Sequence, residues 1–238
     1  MQSKSEVSVG QLVAERPARA RAFEKLGIDY CCGGKRPLEQ VCREKHLDIA
    51  VVLLEMDRPD TTSTATERNW SSASITDLCD HIEQTHHAYL KQELPRLESM
   101  TIKVAAKHSE SRPALREVCE IFKTLKEEME SHMVKEEHIL FPLCRKLDVA
   151  DTLPKMPCGS IGNPIEVMMS EHADTGDELA RIRVLTDEFV CPPDACNTFR
   201  AMYDSLQQLE RDMHQHVHKE NSILFPKAIR LENILGAK

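Results

Sequence analysis

His132-Met133-Val134-Lys135-Glu136-Glu137-His138-Ile139-Leu140-Phe141-Pro142 and His216-Val217-His218-Lys219-Glu220-Asn221-Ser222-Ile223-Leu224-Phe225-Pro226 are two copies of one phrase, H-x-x-K-E-x-x-I-L-F-P. They lie 84 residues apart, which marks an internal duplication. On an α-helix, residues i and i+4 share a side, so His132 points with Glu136 and His216 with Glu220. Each pair interrupts an apolar stripe stepped by three and four. In the first copy the stripe is Leu125, Met129, His132, Glu136, Ile139, Leu143; in the second it is Leu209, Met213, His216, Glu220, Ile223. A carboxylate turned toward a core is costly unless it is paired or binds a metal. Buried His–Glu hydrogen bonds would account for one such pair as packing. Two of them, in duplicated helices, point to a metal.

A duplicated site needs partners from two further helices. One is His172, in the stripe Ile165, Met168, His172, Gly176, Leu179, 44 residues before His216. For the other, the sequence offers His81, His86 and His87. The interval from His87 to His132 is 45 residues, the nearest match to that spacing. The stripe Leu78, Ile82, Leu90, Leu94 suits His86 at least as well, so the repeat selects His87 and leaves His86 as the alternative. His138, His214 and His218 fall off the stripes, and His46, His81 and His108 have no partner pattern. These are expected at the surface or behind the ligands. The predicted metal set is His87, His132, Glu136, His172, His216 and Glu220. Four imidazoles and two carboxylates are too many for one structural zinc. They suit two borderline metals sharing bridging carboxylates, as in bundle di-metal centres. A bridging oxo or hydroxo group would still leave one open position per metal, where O2, NO or peroxide could bind.

Outward from these phrases, four long helical patterns run over about 75–106, 113–147, 164–189 and 194–235, with short joins. The simplest solution is an antiparallel four-helix bundle over 75–238. Residues 58–74, RPDTTSTATERNWSSAS, lack apolar periodicity and read as a linker in which Trp70 alone could dock on a neighbour. Residues 1–57 read as a small helical domain. There Pro17 can open a helix and Gly27 close one, ahead of the turn Asp29-Tyr30-Cys31-Cys32-Gly33-Gly34. The fold class is thus all-α. Only 8 glycines and 4% aromatic residues in 238 argue against a sandwich or barrel. The formal net charge of -8 makes nucleic acid and anionic membranes poor partners. No secretory h-region or membrane-length apolar run is present, which reads as a cytoplasmic protein. Nine cysteines, an odd number without a C-x-x-C pair, do not make a disulfide framework, and Cys79, Cys119 and Cys144 fall in helical patterns as small core residues.

The chain resembles the hemerythrin-like (HHE) cation-binding family. Over nearly its full length it resembles the members for repair of iron centres, which join a D-[YF]-C-C-G-G domain to such a bundle. The matching residues are Asp29 to Gly34, His87 in H-H-x-Y-L-K-Q-E-L-P, the two H-x-x-x-E…L-F-P phrases, and Ser170-Glu171-His172. The resemblance implies a non-haem di-iron centre bridged by two glutamates. It implies repair of iron–sulfur clusters damaged by nitric oxide or peroxide, by supplying iron, with the damaged proteins as partners. It also implies a role for Cys31 and Cys32 in thiol or iron transfer, as a pair exposed in its Gly-Gly turn; packed thiols in a tight turn are the alternative. Two other functions compete: an NO- or O2-binding carrier or sensor, and a di-iron reductase of NO or peroxide using the cysteine pair. A homodimer is compatible with the sequence. Loop 148–163 looks long for the bacterial members.

Overall fold

The computed structural model describes residues 4–58 and 70–237, and among them no β-strand occurs. Four short helices come first. α1 (Val9–Glu15) starts where the Ser8 hydroxyl accepts the Gln11 amide. α2 (Arg19–Lys25) ends at Gly27, whose φ of 63° closes the turn as the sequence suggests. α3 (Leu38–Glu44) is followed by α4 (Ile49–Met56), which the Asp48 carboxylate caps. Of the expected linker, residues 59–69 lie outside the described residues. Trp70–Ser72 forms a single 3-10 turn. Its Trp70 ring stacks on His81 at 3.9 Å, and the Ser71 hydroxyl donates to the Ala14 carbonyl at 2.9 Å.

The bundle has four rods. Rod one is α5 (Ile75–Ile82), a wide turn (Glu83–His87) and α6 (Ala88–His108). Rod two is α7 (Ala114–Lys135), a wide turn (Glu136–Leu140) and α8 (Phe141–Asp148). Rod three is α9 (Gly162–Leu185). Rod four is α10 (Asn197–Lys219), a wide turn (Glu220–Leu224) and α11 (Phe225–Gly236). α5 lies beside α8 and α6 beside α7, α9 packs on α7, and α11 joins α8, so successive rods run antiparallel. Rod three stops four residues before the expected Phe189. Asp187, Glu188 and Phe189 take φ of 49°, 57° and 62°, which no α-helix continues.

The wide turns are π-helical. Ala88, Phe141 and Phe225 donate their amides five residues back, to the carbonyls of Glu83, Glu136 and Glu220. In two of the three, proline follows at once. Pro142 and Pro226 have no N–H for the carbonyl four residues back, and the wider turn absorbs that break in the ladder. Each π turn inserts one extra residue and so rotates the stripe that follows. This corrects one expectation. Ile139, assigned to the core stripe, is 54% exposed, and Leu140 is buried in its place.

The core falls into two apolar clusters. One joins the small helices to α6, α7, α10 and the C-terminal half of α9, through Leu12, Phe23, Val41, Leu94, Phe122, Leu209 and Met213, among others. The second holds Leu78, Ile82, Phe141, Leu147, Ile165 and Phe225 at the other end of the bundle. On every rod the residues between the two clusters are the histidines and glutamates singled out above.

Candidate metal centre

The six side chains reach this layer from four rods, two each from rods two and four and one each from rods one and three, and all are almost fully buried. Glu136 and Glu220 open their π turns, and His87 closes the one in rod one. The four Nε2 atoms converge on the two carboxylates. His87 Nε2 lies 3.3 Å from Glu136 Oε2 and His132 Nε2 lies 3.4 Å from Glu136 Oε1. His216 Nε2 is 3.0 Å from Glu220 Oε1, and His172 Nε2 is 3.1 Å from Glu220 Oε2. His132 and His172 bring their Nε2 atoms to 3.0 Å. Two four-residue sets result: His87, His216, Glu136 and Glu220, and His132, His172, Glu136 and Glu220. Both contain both glutamates, so each carboxylate spans the two sets.

The structure also separates His87 from His86. His87 enters the centre. His86 is equally buried but turns away, with Nδ1 2.9 Å from Asp212 and Nε2 2.7 Å from Lys219 Nζ. Helical periodicity favoured His86 because it assumed an unbroken α-helix. The π turn at Glu83–His87 makes the step from Ile82 to the inward residue five instead of four.

Behind the converging Nε2 atoms stands an outer layer that the sequence reading missed. His87 Nδ1 lies 2.8 Å from Glu137, which also pairs with Lys91. His132 Nδ1 lies 2.8 Å from Glu171, which also takes Lys135. His172 Nδ1 lies 3.0 Å from Asn221 Oδ1. The signal was present: Glu137 and Asn221 occupy the same place in the two phrases, and Glu171 directly precedes His172. His218, expected at the surface or behind the ligands, is buried, with its ring edge-on to Tyr30 of the small domain at 5.3 Å.

The electrostatics call for positive charge at the centre. Burial and the Glu220 charge push the Glu136 carboxyl up, but His132 and His87 outweigh them and hold it below its ordinary value. Glu220 likewise stays well below, against its burial, through His216 and His172. Burial opposes charge on His132, yet Glu136, Glu220 and Glu171 push it up to about 9. Both Glu136 oxygens, Glu220 Oε2 and His87 Nε2 are buried and make no hydrogen bond. Such atoms are costly as packing and suited to a cation. Imidazole and carboxylate donors in two sets of four, with shared carboxylates, fit a pair of borderline divalent metals.

The Asp29–Gly34 turn packs against this layer. The Asp29 carboxylate accepts the amides of Cys31, Cys32 and Gly33 and draws the turn tight. A Cβ on Gly34 would lie 2.5 Å from the Tyr30 carbonyl, so no larger residue fits there. Contrary to expectation, Cys31 is buried, and Cys32 faces the bundle, its Sγ 3.2 Å from the His172 carbonyl. The hydrogen bond that the Cys31 thiol donates to Cys32, burial and the Asp29 charge all hold that thiol well above its ordinary value. The two sulfurs are 3.8 Å apart, and with Asp29 they form a third compact donor group.

Residues 80–228, more than half of the chain, match the model of the hemerythrin HHE cation binding domain. The chain belongs to the hemerythrin HHE family. This HHE chain also matches, over residues 5–60, a domain of unknown function (DUF542). It is 34% identical over 221 residues to the iron-sulfur cluster repair protein YtfE of Escherichia coli O157:H7, covering 93% of this chain and 96% of that one. It is 33% identical over 227 residues to the protein of the same name from Musicola paradisiaca, covering 95% and 98%. The HHE bundle contains, among its described residues, no helix long and apolar enough to cross a membrane.

Proposed function

We propose that the chain binds two iron ions, one in each four-residue set, with Glu136 and Glu220 bridging them, and that it repairs iron–sulfur clusters damaged by nitrosative or oxidative stress. The observation that carries the reading is the pair of buried carboxylates shared between two histidine pairs. The name of the full-length relatives supports the function. Bound iron would supply redox and ligand-binding chemistry toward NO, O2 or peroxide, and it would be the material for repair. The protein's own residues do the rest. The outer carboxylates orient the imidazoles and raise their basicity. The apolar clusters above and below keep bulk water from the layer. Cys31, Cys32 and Asp29 are proposed to hold a soft metal ion in transit beside the centre. Both thiols would lose their protons on binding it.

The small domain, the linker and the bundle, over 1–57, 58–74 and 75–238, are proposed as the working units. The substrates are damaged iron–sulfur proteins.

The test begins with iron content. Full-length protein reconstituted with ferrous iron should hold two ions, and it should restore activity to an NO-damaged iron–sulfur enzyme. The Glu136→Leu plus Glu220→Leu variant should hold fewer than about one and restore nothing. Equal restoration by free ferrous iron, or by that variant, would sink the repair reading. Steady NO or peroxide turnover, abolished by Cys31→Ala plus Cys32→Ala, would replace it with a reductase.

A further inference from the structure

The duplication extends to the outer layer, and there it is broken. The rod-one pair His86-His87 stands to rod four as the rod-three pair Glu171-His172 stands to rod two. Lys135 of the first phrase reaches Glu171, and Lys219 of the second reaches His86. Glu171 accepts from His132 Nδ1. His86 does nothing equivalent for His216. Its ring stacks flat on His216 at 5.3 Å, with an interplanar angle of 5°, and its two nitrogens go to Asp212 and Lys219. His216 Nδ1 is left buried with no hydrogen-bond partner.

The two four-residue sets therefore differ. In the His132/His172 set both imidazoles are held from behind, by Glu171 and by Asn221. Asn221 is itself fixed, its amide donating to the Cys31 carbonyl at 3.3 Å. In the His87/His216 set only His87 has such a partner. An outer acceptor on a ligand histidine fixes ring orientation and raises basicity, and losing one costs roughly 10- to 100-fold in metal affinity. Resting on the two-metal reading above, we propose that the positions are unequal by design. The His87/His216 position is the exchangeable one, whose iron leaves first, and His86 makes it so by standing where the repeat has a carboxylate. His86 also lines a cavity of about 300 Å³ between the small helices and the bundle, with Tyr30, Trp70, His81, Asp212 and Lys219. The iron nearer Cys32 is then the resident one.

The experiment follows iron loss from the reconstituted full chain into an excess of ferrous chelator. Wild type should hold two irons and release them in two phases of equal amplitude, at rates at least about tenfold apart. His86→Gln places an acceptor behind His216, as Asn221 does behind His172, and should slow the fast phase toward the slow one. His86→Leu fills space without an acceptor and should leave it fast. Glu171→Ala changes a part-exposed residue and should speed the slow phase toward the fast one. The inference is overturned if wild type loses both irons in one phase. It is equally overturned if His86→Leu slows the fast phase as much as His86→Gln does, or if Glu171→Ala leaves the slow phase unchanged. Fewer than two irons at saturation would instead remove the two-metal reading itself.

Discussion

At the scale of the residue, the centre is a contest between burial and charge. Two carboxylates with no exposed surface would each cost several kcal/mol if left unpaired. Imidazolium or metal ions can supply the compensating charge, and they compete. With the His132 imidazole pushed up to about 9 by Glu136, Glu220 and Glu171, this ring carries a proton at pH 7 in metal-free protein, and the neighbouring glutamates raise His87 in the same direction. A metal must displace the His132 proton, so binding releases it and affinity rises with pH. Raising the pH from 7 toward 9 is therefore expected to tighten metal binding about tenfold per unit for each proton released. Chelator competition across this range, together with proton release measured in two buffers, checks it. Affinity that is flat or falls with pH would contradict the assignment of His132 as a ligand.

At the scale of the element, the three π turns aim the candidate ligands. Two begin at a glutamate shared by both four-residue sets, and one ends at His87. An α-helix advances 100° per residue, so removing the extra residue turns everything beyond it by about that angle. Deleting the exposed His138 would let Glu136–Leu140 close into an ordinary helix. That would rotate Glu136 and His132 away from the face on which Phe141, Leu143 and Leu147 pack. Bound metal should fall below two per chain, although helix content by circular dichroism barely changes. A deletion variant that still binds two ions would show the π turn to be dispensable. The same turns account for the misplaced residues. Ile139 and His86 both satisfied a regular 3.6-residue stripe, and both lie where that stripe has been shifted by one position.

At the scale of the whole molecule, the small helical domain and the bundle share one apolar cluster and meet at the metal layer. One tight approach is at α1. A Cβ on Gly10 would lie 2.5 Å from Ser222 Oγ and 3.0 and 3.2 Å from the Gly34 and Tyr30 carbonyls. Two of those three neighbours are backbone and cannot swing aside. Gly10→Val is expected to destabilise the protein by about 1–3 kcal/mol. Because the core is shared, wild type should unfold in one transition. The fluorescence of Trp70, the single tryptophan, which stacks on the bundle at His81, should coincide with loss of helix signal. Separate transitions in wild type would mean that the two parts do not stabilise each other.

The division between sequence and tertiary structure follows from what each can encode. The helical class, the four rods, the duplication and the inward turn of His132, Glu136, His172, His216 and Glu220 were legible in the sequence. They rest on local periodicity and on a repeated phrase. His87 over His86 was only half legible, because a π turn breaks the period from which facing is judged. The burial of Cys31 and the approach of Cys32 to His172 were not legible, since a Gly-Gly turn reads as exposed until another domain covers it. Nor was the outer layer, where Glu137, Glu171 and Asn221 meet histidines 39 to 50 residues away in the chain. Pairings between rods depend on how helices pack, and no local pattern carries that. Only the packed molecule decided that one of its four inward-facing histidines, His216, would have no acceptor behind its Nδ1.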